Sequence, residues 1–388
     1  MSRFAALDGL RGICALLVAL FHLPLACHLL ASPLVREGYI FVDFFFVLSG
    51  FVIAHAYGTR LAGGSELASF LVRRIGRLWP LHIVVLAVVV AIDCVLYVLV
   101  TRFNVIGPHP FTGQHALDLL PANAFLIHSW GIGWLSWNTP SWSISAELLA
   151  YIVFAAVVLL AGRRSRWIAA VIVALTWFVS LVIARDNVAL YGLLPSLRGT
   201  CGFFAGVLVY AAFTKSGRPD WTPALGTWLE VAAVAAVVAY VQFVSRMELM
   251  PWAMPIFAVA VYVFAAERGA LSRLLKSPAL QLLGTLSYSI YLLHTPVITG
   301  FSATAIATGS VFHIDAFTDA DMLFPASFDH EWQVVDFGNV AVNDLYGLVF
   351  LAALIGLSML TYRFIELPGQ RLFTGFTTRR FARTATAG

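Results

Sequence analysis

Ten stretches of about 20 predominantly apolar residues recur along this chain, at 9–30, 39–57, 80–101, 144–162, 167–184, 192–212, 223–244, 251–266, 281–300 and 345–363. A helix of that length crosses the hydrocarbon of a bilayer, where every backbone polar group must find its partner within the protein. The chain is thereby restricted to an all-α, polytopic membrane helix bundle of about ten transmembrane helices. Composition agrees: 60% of the 388 residues are hydrophobic and 11% charged, about half the charge of a soluble domain. The net charge is only +4, and no nucleic-acid partner is expected.

The positive charges are unevenly placed. With a cytoplasmic N-terminus, 19 of the 24 basic residues fall in inside segments and 5 outside, so both termini are expected in the cytoplasm. Gly63 and Gly217 are then inside, and Gly113 and Asp321 outside. The first 30 residues lack a small-residue cleavage site and read as a retained span rather than a signal peptide. Residues 1–372 are read as a single membrane domain and 373–388 as a short basic cytoplasmic tail. Cys14, Cys27, Cys94 and Cys201 lie in expected spans without CxxC spacing, which suggests packing rather than a disulfide framework or a metal site.

Two outside loops are long. The loop at 102–143 carries Trp130, Trp134, Trp137 and Trp142, suited to an interfacial platform or to stacking on sugar rings. The loop at 301–344 holds Asp315, Asp319, Asp321, Asp329, Glu331, Asp336 and Asp344, a solvated acidic surface without calcium-loop spacing.

Polar groups inside spans are costly and mark a pathway or a site. At a helical rise of about 1.5 Å per residue, His22 lies roughly 20 Å from the cytoplasmic face. Asp43, Glu147, Arg198 and His294 reach a similar level from four other spans, which predicts a polar cavity in the outer half. At the opposite face stand Asp8 and Arg11, followed by "RRIGRLWP" at 73–80. Arg74 and Arg77 share one side of a helical turn, a spacing that suits a polyphosphate clamp and equally suits topological anchoring.

"LDGLRGICALLVALFH", "FVDFFFVLSGFVI", "RRIGRLWPLH", "TPSWSISAELLAY", "LGTLSYSIYLLHTP" and "YRFIELP" follow one another in this order. Together they resemble the signatures of the integral membrane acyltransferase 3 family, bacterial surface-glycan O-acyltransferases, from residue 7 to about 372. The resemblance implies that the family's Arg-x10-His pair falls on Arg11 and His22, its Arg-x-x-Arg on Arg74 and Arg77, and its Ser-Trp-Ser…Glu segment on Ser141, Trp142, Ser143 and Glu147. It implies His22 as the catalytic residue and the arginines as binding acyl-CoA from the cytoplasm, acetyl-CoA being the expected donor. It places a glycan or lipid-linked saccharide acceptor at the outer face of a bacterial inner membrane, with the oligomeric state open and a homodimer admitted. The loop at 301–344 is longer and more acidic than the family pattern leads one to expect, which leaves acceptor choice open.

Acyl transfer from a thioester to a hydroxyl needs a base and donors for the developing oxyanion. Imidazole suits the first task when a carboxylate orients it. Glu147 is the first candidate for that carboxylate and Asp43 the second, with Arg198 or His294 to polarise the carbonyl. Direct transfer and prior acylation of His22 are both compatible with the residues. The ten residues between Arg11 and His22 cover about 16 Å of helix, a span comparable with a pantetheine arm. A proton-coupled transporter or flippase of a glycan or lipid intermediate is the alternative, since it too uses midplane His, Asp and Glu. A structural sensor is a third reading. The inverted repeat and Gly/Pro-broken paired spans of transporters are not found in the sequence.

Overall fold

The structure is a computed structural model and describes residues 4–58, 64–103, 109–186, 194–215, 217–243, 247–313, 315–319 and 333–375. Among the described residues, ten long helices carry the fold: α1 (Ala5–Phe21), α2 (Phe41–Tyr57), α3 (Gly64–Phe103), α4 (Ser141–Ala161), α5 (Ser165–Asp186), α6 (Leu194–Lys215), α7 (Pro223–Phe243), α8 (Ala253–Ala266), α9 (Pro278–Phe312) and α10 (Val340–Thr361). Among the described residues, the segments of nine of them, α2 to α10, are long and apolar enough to cross a membrane. The other is α1, of 17 residues. The chain is thus an all-α, polytopic membrane helix bundle, as its apolar runs predict.

Several boundaries differ from expectation, each for a local reason. The first helix stops at Phe21 with His22 as its C-cap, not at residue 30, because Pro24 follows and an X-Pro step disfavours the α region. His22 is therefore at a helix end rather than in mid-span, and Cys27 lies outside any long helix. The third helix starts at Gly64 and runs for 40 residues through Pro80, so the arginines at 73–77 belong to the helix itself. The ninth extends to Phe312 through Pro296, which shortens the acidic loop. Of that loop, Asp321, Asp329 and Glu331 lie outside the described residues, as do Arg3, Arg60, Gly63, Arg246 and the tail from 376.

What brings the polar residues together is close helix packing. The helices α1 and α9 run parallel: the Gln281 amide donates to Ala5 O, Arg11 to Gly284 O, and the His22 and His294 rings meet farther along. A Cβ on Gly284 would come 2.2 Å from Asp8 O, so this seam requires a residue without one. A second seam joins α2 to α6, where a Cβ on Gly206 would meet Val47 O at 1.9 Å. Outward, Val88 and Val95 on α3, Trp167 and Phe178 on α5 and Trp228 on α7 are exposed, an arrangement that suits hydrocarbon as solvent.

Past His22 the chain turns along a short hairpin, β1 (Phe317–Asp319) against β2 (Gln333–Val335), with Phe317 opposite Val335. Val335 N–H donates to Pro24 O at 2.8 Å and Ala26 N–H to Val335 O at 2.9 Å. The buried Asn343 amide donates to Ala26 O at 2.7 Å. The backbone just beyond His22 is therefore tied to the hairpin and to the start of α10.

Candidate active site

At one end of the α1–α9 seam, Arg11 donates to Gly284 O at 2.7 Å and pairs with Asp8 at 3.4 Å. Eleven residues on, His22 Nδ1 lies 2.9 Å from Val18 O. A carbonyl only accepts, so Nδ1 carries the proton and Nε2 keeps the lone pair. The His294 ring stands 4.8 Å from that of His22, centroid to centroid. It is fully buried, and among the described residues neither of its nitrogens makes a well-formed hydrogen bond, its nearest backbone partners being Ile290 and Tyr291 one turn back. Such an orphaned side chain is costly unless something else meets it.

Arg11, Arg74 and Arg77 together line a cavity of about 130 Å³. Its walls include Ser49, Ser143, Glu147, Tyr151, Ser287, Tyr288 and Tyr291. The i, i+3 spacing thus places both helical arginines on one cavity, as the sequence suggests. Arg74 also sits 5.6 Å from the Tyr57 ring centroid, a cation–π contact. Glu147 lies in this cavity and not beside His22. It accepts from Tyr151 at 2.5 Å and from the Ser49 hydroxyl. Three guanidinium groups against one carboxylate leave the lining net positive, which favours an anion.

Asp43 does not orient His22 either. It holds Arg198 through two hydrogen bonds of 2.6 and 3.3 Å, and the guanidinium carbon lies 5.3 Å from the Trp142 ring centroid. Both partners are nearly buried, and a buried cation with a bidentate partner is neutralised where it sits. The five ionisable groups expected at one level therefore resolve into a His22–His294 pair, an Asp43–Arg198 pair, and Glu147 among the arginines.

A family model described as an acyltransferase domain matches residues 4–362. The chain belongs to this acyltransferase 3 family. It is accordingly an acyltransferase, built into a multi-pass membrane bundle. Among curated relatives, "Acyltransferase MdmB" of Streptomyces mycarofaciens is 27% identical over 76% of this chain and 79% of its own length. "Putative membrane-bound transacylase BcsY" of Komagataeibacter xylinus is 27% identical over 75% of this chain and 72% of its own. "Peptidoglycan O-acetyltransferase OatA" of Listeria monocytogenes is 24% identical over 76% of this chain, and the match spans 49% of that protein. No solved structure matches the chain.

Within this acyltransferase, the Ser-Trp-Ser segment opens α4 and reaches three ways. Ser141 donates to Asn138 O at 2.6 Å and accepts from His128 Nε2 at 3.1 Å. Trp142 underlies Arg198, and Ser143 contacts the Tyr291 hydroxyl at 2.8 Å. The tryptophans are less interfacial than expected: Trp137 and Trp142 are buried, and Trp130 donates to Ser145 O at 2.9 Å. Cys14, Cys27 and Cys201 are buried free thiols and Cys94 is exposed. Ser49, Tyr151, Tyr288 and Tyr291 also line the cavity and carry no motif of their own in the sequence. Tyr151 had a signal, since i, i+4 spacing puts it on the face of Glu147. Glu366, in a π-turn at 362–366, accepts from Ser289 at 3.0 Å and so ties the end of α10 to α9.

His128 anchors the loop before α4 as a neutral group. Burial drives its pKa down to about 3, against an ordinary value of 6.5. Unfolded, the imidazole takes up a proton that the folded site rejects, so the stabilisation is complete above about pH 6.5 and is lost progressively as the pH falls below it. We expect proteolysis of the 109–140 loop in detergent-purified protein to rise from pH 7 to pH 4.5. His128→Asn, which cannot titrate, should flatten that rise. An equal rise in both proteins would mean that another group is responsible.

Proposed function

We propose that this membrane acyltransferase moves a short acyl group, acetyl in the first instance, from acyl-CoA to a hydroxyl of a glycan or lipid-linked saccharide across a bacterial inner membrane. The supporting observation is the register of α1 against α9. It sets Arg11 and its anion-favouring cavity at one end and the His22–His294 pair 11 residues along the same helix, about 16 Å away. The arginines suit the phosphates of CoA, and the arm of the donor is long enough to reach the histidines. The positive-inside distribution supports a cytoplasmic arginine end, and with it an acceptor met from the outside. A relative named for peptidoglycan O-acetylation supports acetyl as the group and a glycan as the acceptor.

In this reading His22 Nε2 takes the proton of the acceptor hydroxyl as its oxygen attacks the thioester carbonyl. The Nδ1–H to Val18 O bond holds the tautomer, in the place expected of a carboxylate. His294, beside His22, can turn an N–H toward the developing oxyanion. As the tetrahedral species collapses, the C–S bond breaks, the ester is released and the His22 Nε2 proton passes to the CoA sulfur. The test is the purified protein in liposomes with acyl-labelled acetyl-CoA and a saccharide acceptor. Label is expected in an alkali-labile ester on the saccharide. Label accumulating stably on His22 with acceptor present would replace direct transfer by an acyl-enzyme. CoA-independent movement of saccharide without acylation would overturn the reading in favour of transport.

A further inference from the structure

We propose that Tyr291, backed by Phe45, determines the length of the acyl group that can reach the His22–His294 pair, an inference that rests on the acyl-CoA reading of the arginine cavity. Tyr291 lies three residues before His294 on α9, on the same face and one turn nearer the arginines. Its ring centroid is 5.8 Å from that of His294 and 5.8 Å from that of Phe45, while His294 in turn is 4.8 Å from His22. Phe45, Ser143 and Tyr291 all line the cavity, whereas neither histidine does. A donor entering past Arg11, Arg74 and Arg77 therefore meets this aromatic wall before it meets an imidazole.

The wall is held in place. The Tyr291 hydroxyl is 2.8 Å from Ser143 Oγ, and Ser143 donates to Pro140 O at 3.1 Å, so the phenol is the donor in the first contact. The ring is buried, at 6% exposure, and swinging it aside costs that hydrogen bond and its packing on Phe45. A chain too long for the space beyond Tyr291 must displace the ring or stay on the arginine side, where its carbonyl is out of reach of His22. Pockets that exclude surplus methylenes discriminate by about 10–200-fold, which is the scale expected here.

The experiment is competition for bound labelled acetyl-CoA on the detergent-purified full chain, using unlabelled acetyl-CoA, hexanoyl-CoA and free CoA. In the parent, hexanoyl-CoA should compete about 10-fold or more weakly than acetyl-CoA. Tyr291→Ala and, independently, Phe45→Ala should bring the two within about 3-fold, each referred to free CoA measured on the same protein. Tyr291→Phe keeps the ring and should keep most of the discrimination. Phe45→Ala decides the matter if the Tyr291→Ala protein fails to fold. Equal competition by both thioesters in the parent, or discrimination unchanged in the alanine variants, would overturn the role of Tyr291 and leave the donor site standing. Absence of CoA binding in the parent would overturn the donor reading itself and this inference with it.

Discussion

His22→Ala should lower acyl transfer by roughly 10²–10⁴-fold or more while leaving donor binding intact, since it removes a general base and nothing from the arginine cavity. The structure sharpens the controls. His28, six residues on, is exposed and bonded to Asp344 at 2.7 Å, so His28→Ala should keep near-parental turnover. Glu147→Gln was expected from sequence to weaken the base, but Glu147 bonds Ser49 and Tyr151 among the arginines. Its loss should therefore appear in the KM for acyl-CoA more than in kcat, the pattern of a binding rather than a transition-state contact. The measurement is steady-state transfer from labelled acetyl-CoA at several donor concentrations. Near-normal turnover in His22→Ala would remove His22 from the chemistry.

The bundle was legible because lipid imposes one rule everywhere, and ten apolar runs had few other ways to satisfy their backbones. Helix ends were less legible. Pro24 was visible as a stop, yet hydropathy carried the first span past it, and the helical continuation of 64–79 into α3 was hidden because those residues are amphipathic rather than apolar. Spacing along a single helix read well for Arg74 with Arg77, which line one cavity. Depth also brought His22 to His294, because parallel helices keep one rise per residue. What depth cannot supply is rotation about each helix axis. Depth alone puts both Asp43 and Glu147 near His22, but the α2–α6 seam turns Asp43 to Arg198, and α4 presents Glu147 to the arginines. Packing of glycines such as Gly206 and Gly284 against backbone sets those rotations, and that depends on partners far away in sequence.

Arg74→Ala and Arg77→Ala should each weaken acyl-CoA binding by about 1.5–3 kcal/mol, the loss expected when a charge-assisted hydrogen bond to phosphate is removed. Lysine at either position should restore only part of it, since an ammonium keeps the charge but not the bidentate fork. Arg74 carries a further dependence, because its guanidinium rests on Tyr57 and Tyr57→Leu should reproduce a fraction of its loss. Raising salt should weaken binding in the parent more than in either alanine variant, because one screened contact is already gone. Isothermal titration of the purified protein with acetyl-CoA reads all four outcomes, and acceptor affinity, measured separately, should not move. If the alanine variants bind acetyl-CoA like the parent but insert with mixed orientation, the pair serves topology alone. The donor site would then be sought at Arg11 and the 268–276 segment, where Arg268 is paired with Asp220 and Lys276 with Glu267.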